Sequence, residues 1–171
     1  MKMALLLSEF QEVTELKINK LTIGIIAVIG ASMTVYLGMP RGLRNNNPTN
    51  IRYNKANAWN GQTGKDSAGF AKFDSAHNGI RAGAKLLRNY QSMHNLNTLE
   101  QILGRFAPPV ENDTKSYIKS VSQSMKVAPD SYLALSSDFV LIPLVQAIIK
   151  HENGINPFSY ETIYNAVQAA K

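Results

Sequence analysis

The 171-residue chain carries twelve carboxylates, nine of them after residue 40. Most of those nine fall beside turn residues or at the start of apolar-periodic stretches, where acids cap helices. Glu152 does not. In LIPLVQAIIKHENGINP, residues 141–157, Leu141, Leu144, Val145, Ile148, Ile149 and Glu152 recur at i, i+3, i+4, i+7, i+8 and i+11. That is one face of an α-helix, and Asn153-Gly154 reads as its C-terminal stop. The pattern predicts a carboxylate in the last turn, on the side turned toward the core. Partial burial disfavours the charged form of a carboxylate, which suits a general acid working near neutral pH. The competing reading is a structural Glu satisfied by an arginine or by backbone amides.

Other chemistries lack their residues. The chain has no cysteine, so thiolate nucleophiles, thiolate metal sites and disulfides are excluded. No GxGxxG, P-loop, HExxH or GxSxG occurs. His77, His94 and His151 are scattered, and no spacing recommends a metal site. His151 lies about 100° round the helix from Glu152 and reads as its exposed neighbour. Glu111 and Asp113 precede a helical stretch carrying Tyr117, Ile118, Val121 and Met125. They are either first-turn caps or a second carboxylate for the site.

The elements that must position Glu152 follow from the remaining pattern. RGLRNNNPTNIRYN, from Arg41, is loop chemistry. Its asparagines make either a local turn network or a wall that binds saccharide or peptide. Gly61, Gly64 and Gly69 punctuate residues 58–73, and Phe70 to Phe73 is the best strand candidate. Trp59, the only tryptophan, is a small-core anchor or a stacking platform for a sugar ring. His77-Asn78-Gly79 reads as a turn before a helix over 80–93. Asn97 and Glu100 have capping-box spacing for a helix through Phe106, which Ala107-Pro108-Pro109 breaks. Asp138 reads as the cap of the Glu152 helix, with Pro143 in its first turn, and Ser159 starts a last helix. The fold class is α+β, mostly α.

Residues 1–20 read as a short amphipathic helix. Residues 21–39 contain no charged side chain and would make a helix of roughly 28 Å, the thickness of a bilayer core. A single membrane span is expected there, against a cleaved signal or a buried core helix. Residues 40–171 make the remaining domain. The formal net charge is +6. Glu9, Glu12 and Glu15 balance Lys2, Lys17 and Lys20, so the whole excess lies from Arg41 onward. A basic domain suits an anionic partner, although ordinary surface lysines would give the same sum.

RGLRNNNPTNIR, WNGQTG, FAKFDSAHNGIRA, FAPPVENDTKSYIKSV and AIIKHENG, in this order, resemble phage virion-associated muralytic proteins. The resemblance runs from Arg41 to Tyr164, with Thr49 where the pattern has glycine. AIIKHENGINP is also similar to the AII-x-x-ESG-x-NP motif of soluble lytic transglycosylases, with Asn153 in place of the serine. The Asn-rich run followed by WNG and FAKFDS is similar to the segment that follows the catalytic Glu helix in some glucosaminidases of the lysozyme superfamily. In those enzymes the Glu comes first; here it comes last. The resemblance implies a lysozyme-like domain in a circularly permuted arrangement, with the Glu152 helix beside the Asn45–Asn50 loop.

It further implies a virion enzyme that cleaves the N-acetylmuramic acid–N-acetylglucosamine bond during genome entry, and the segment 21–39, which is not part of the common pattern, would anchor it in a membrane. Glu152 would be the catalytic acid and base, with Glu111 or Asp113 as a second carboxylate if one is used. Asn46, Asn47, Asn50, Tyr53, Trp59 and Tyr117 would line the glycan groove. No cofactor and no metal is expected. The partners are peptidoglycan, a membrane crossed once and other virion membrane or capsid proteins, rather than nucleic acid. Two alternatives stand beside this: an endopeptidase of the peptide cross-bridge, and a non-catalytic virion membrane protein that binds cell wall or DNA.

Overall fold

Seven large aliphatic and alanine side chains of one helix, from Leu141 to Ile149, are buried together, and the fold is assembled round them. The computed structural model describes residues 38–110 and 112–171. The amphipathic segment expected over 1–20 and all but the last two residues of the span expected over 21–39 lie outside the described residues, as does Glu111. Among the described residues no helix is long and apolar enough to cross a membrane.

The elements run α1 (Arg41–Arg44), β1 (Gln62–Lys65), β2 (Ala71–Phe73), α2 (Ala76–His94), α3 (Leu99–Phe106), α4 (Thr114–Met125), α5 (Asp138–Asn153) and α6 (Tyr160–Gln168). The described residues are thus mostly α, with one two-stranded antiparallel sheet, as the periodicity predicts. Helix α5 packs against α1, α2, α4 and α6. Each large aliphatic it buries contributes roughly 1.5–3 kcal/mol. The second, smaller core is Ile51, Ala71, Phe73 and Ala82, with Tyr53, Trp59, Leu86 and Phe106 against it. It fastens the sheet to α2.

Several helix starts differ from expectation by a residue or a turn. His77, Asn78 and Gly79 belong to the first turn of α2, because Ser75 caps it by accepting from the Asn78 amide. Gly79 fits there because a Cβ would lie 1.9 Å from the Asn46 carbonyl oxygen. The capping box of α3 is Thr98 with Gln101, not Asn97 with Glu100. Ser137 is the N-cap of α5, Asp138 is its first residue, and Pro143 sits inside the helix. The Asp138 carboxylate instead accepts from Arg88, Gln168 and Lys171, which join α2, α5 and α6. Helix α4 is capped by Asp113, α6 by Ser159, and α5 stops at Gly154 in the left-handed conformation, as expected.

Candidate active site

The Asn45–Asn50 loop lies beside the C-terminal end of α5. Asn153 Nδ2, on α5, donates to the Pro48 carbonyl at 2.7 Å. One residue earlier, Glu152 Oε2 accepts from Asn50 Nδ2 at 2.8 Å. Gly42 permits this approach, since a Cβ there would stand 2.5 Å from Asn153 Oδ1. The loop is held from the other side by α2, where Gly83 leaves room for the buried Thr49; a Cβ at Gly83 would be 2.4 Å from Thr49 Oγ1.

Glu152 Oε1 accepts from the Tyr117 hydroxyl at 2.8 Å. The carboxylate is therefore half-buried with a donor on each oxygen, one from a loop and one from α4. Tyr117 is 2% exposed. Its ring lies edge-on to Phe106, with centroids 6.4 Å apart, and stacks on His151 at 3.8 Å. Burial, together with the charge and hydrogen bond of Glu152, pushes the Tyr117 phenol well above the usual tyrosine value. It thus stays a hydrogen-bond donor throughout the ordinary pH range.

Glu152 and Asn50 open onto a groove of about 840 Å³, whose walls include Arg52, Trp59, Phe70, Tyr90, Arg105 and Phe106. Tyr117 is not on that wall; it grips Glu152 from behind. Each carboxylate oxygen keeps a second lone pair. A carboxylate fixed in this way can pass a proton to a ligand in the groove and take one back.

The other residues expected at the site fall into three sets. Asn50 and Trp59 line the groove, and Trp59 also packs against the small core, as the anchor reading expects. Asn46 and Asn47 do not line it. Asn46 Nδ2 donates to the carbonyls of Phe73 and Asp74. Asn47 is fully buried, donating to Ile51 and Ala71 carbonyls and accepting from the Ile51 amide. They tie the loop to β2. Tyr53 and Tyr117 do not line the groove either; Tyr53 is half-buried against the small core, with the Lys65 ammonium 5.9 Å from its ring centroid.

Asp113 is exposed and caps α4 through the Ser116 amide and hydroxyl. Those two bonds hold its carboxyl below the usual range. It is not a wall of the groove, and Glu111 lies outside the described residues. Glu152 is the only carboxylate among the described residues of the wall. Arg52, Phe70, Arg105 and Phe106 were not singled out by pattern. Arg52 and Phe70 come from two separate segments and Arg105 and Phe106 from the end of α3, and only the fold gathers them.

No protein-family model matches the chain. The sequence is 38% identical over 126 residues to Protein P5 of Pseudoalteromonas phage PM2, covering 72% of this chain and 77% of that protein. The chain belongs to the Protein P5 family. Membership makes it a bacteriophage-type protein. In this Protein P5 relative the Glu152 clamp draws on segments far apart in sequence, from Asn50 to Tyr117.

Proposed function

We propose that the chain is a virion-associated enzyme that cleaves the glycan strands of peptidoglycan by lytic transglycosylation. The observation that carries this reading is a single groove-side carboxylate held between Tyr117 and Asn50. Two further features support it: the lysozyme-like arrangement implied by the sequence resemblance, and the contact between α5 and the Asn-rich loop. Family membership supports the phage setting, in which local thinning of the wall would assist genome entry. The uncharged segment at 21–39 supports a membrane anchor.

In the proposed reaction, protonated Glu152 gives its proton to the glycosidic oxygen as the bond from C1 of N-acetylmuramic acid breaks. The leaving sugar departs with a 4-hydroxyl. The carboxylate, still oriented by Tyr117, then takes the proton of the 6-hydroxyl as O6 bonds to C1. A 1,6-anhydro ring closes, Glu152 regains its proton, and no water is consumed. One carboxylate suffices, whereas hydrolysis ordinarily needs two at a set separation.

The test is Glu152→Gln, which keeps the shape of the side chain and can still accept from Asn50 while donating to the Tyr117 hydroxyl oxygen, but cannot cycle a proton. Wild type is expected to release anhydro-muropeptides from purified sacculi, identified by mass spectrometry, and the variant is expected to release none. Reducing-end sugars would replace this reaction with hydrolysis, and cut peptides with an endopeptidase. Because both Glu152 oxygens are already satisfied, a non-catalytic glycan-binding role is the second reading. Undiminished clearing by Glu152→Gln would select against the glycosidase.

A further inference from the structure

We infer that the part of the groove built by Arg105, His94 and Tyr90 is a carboxylate-recognition subsite for the peptide stems of a muropeptide glycan. This rests on the glycan-cleaving reading of Glu152 and names what the same groove selects.

Three arginines line the groove, and they differ in their partners. Arg41 faces Asp66, its Nε 3.7 Å from Oδ2. Arg52 donates to the Ala68 carbonyl at 2.7 Å, and both guanidiniums lie over the Phe70 ring. Arg105 is held without a counter-charge. Its guanidinium lies over the Tyr90 ring, 5.2 Å from the centroid, and Nη2 is 3.3 Å from His94 Nε2. A guanidinium only donates, so His94 Nε2 accepts. Among the described residues no carboxylate pairs with Arg105. The aromatic face and the imidazole fix the plane of the fork and occupy one donor. The remaining donors suit a carboxylate, which such a fork grips in two places.

The position fits a substituent rather than the reacting bond. Gly83 of α2 abuts Thr49, next to Asn50 and so next to Glu152. From Gly83 to Tyr90 and His94 the helix climbs roughly 10–16 Å. Phe106, beside Arg105 in sequence, touches the Tyr117 ring and joins the two ends of the wall. A peptidoglycan strand is uncharged along its sugar backbone except where peptide stems bring carboxylates. Such a strand would place an uncharged sugar at Glu152 and offer an anion further along, whereas a nucleic acid would bring phosphates to both places.

The probes are a disaccharide-tetrapeptide muropeptide and a stem-free N-acetylglucosamine disaccharide, which carries no carboxylate. Binding to the full-length Glu152→Gln protein is read by Trp59 fluorescence, since the only tryptophan lines the groove. The stem-bearing probe is expected to bind about tenfold more tightly. Adding Arg105→Gln should remove that preference while leaving the stem-free affinity unchanged, and Arg105→Lys should restore part of it. Equal affinity for both probes, or an equal loss of both in Arg105→Gln, would overturn the inference. So would displacement of the muropeptide by duplex DNA at equal anion concentration. Because binding is measured without turnover, an inactive wild type would refute the glycosidase and leave this result readable.

Discussion

Tyr117 and Asn50 do different work on one carboxylate. Asn50, a residue of the groove wall, donates to Glu152 through Nδ2. Tyr117 donates from a buried position that no ligand reaches. It fixes one oxygen of the carboxylate. Tyr117→Phe removes the donor and keeps the packing against Phe106 and His151. It leaves one oxygen of a half-buried carboxylate without a partner, which costs about 1–3 kcal/mol. Denaturant unfolding should show that loss. Release of anhydro-muropeptides should fall about tenfold, the consequence of about 1.4 kcal/mol in the barrier. A variant as stable and as active as wild type would show that the hydrogen bond orients nothing.

At the scale of elements, the site depends on how closely the Asn-rich loop can approach α2 and α5. Gly79 sits in a helix, where Gly→Ala ordinarily stabilises by roughly 1 kcal/mol. Here a Cβ would meet the Asn46 carbonyl oxygen at 1.9 Å, and that atom is backbone. The sign should therefore reverse: Gly79→Ala is expected to lose on the order of 2–3 kcal/mol on unfolding. It should also weaken activity, because the displaced loop carries Asn50. Gly104 is the control, since nothing lies within 4 Å of its Cβ position, and Gly104→Ala in α3 should stabilise. The same close approach explains why the start of α2 was hard to read. His77-Asn78-Gly79 has turn composition, but its glycine is there for the loop beside it.

At the scale of the whole described molecule, Asp138 ties three helices together. Gln168 and Lys171 hold its carboxyl below the usual range through hydrogen bonds, aided by the charges of Lys171 and Arg88. The folded state thus favours the charged form. That contribution is fully present above the unfolded value of about 3.9 and is lost as pH falls through the lower folded value. Asp138→Asn should lower stability at pH 7 by about 1 kcal/mol, allowing for solvent screening of a partly exposed group. The gap between variant and wild type should close as pH drops below about 4. Thermal unfolding across pH 2–7 measures it, and a constant gap would show that the charge of Asp138 is not what matters.

What the sequence by itself determined is local. The aliphatic repeat defined α5 and put Glu152 in its last turn; Gly154 ended it; Asp113, Ser159 and the Pro108-Pro109 pair bounded their helices. Such features depend on neighbours within a turn or two, so residue type and spacing carry them. The partners of Glu152 are another matter. Asn50 is 102 positions away and Tyr117 is 35. No periodicity links those distances. Asn46, Asn47 and Asn50 share one loop and one residue type, yet two fasten a strand and one holds the carboxylate. Only the packing of the loop between α2 and α5 decides which asparagine faces the groove, because side-chain direction there follows from backbone contacts made across the whole chain.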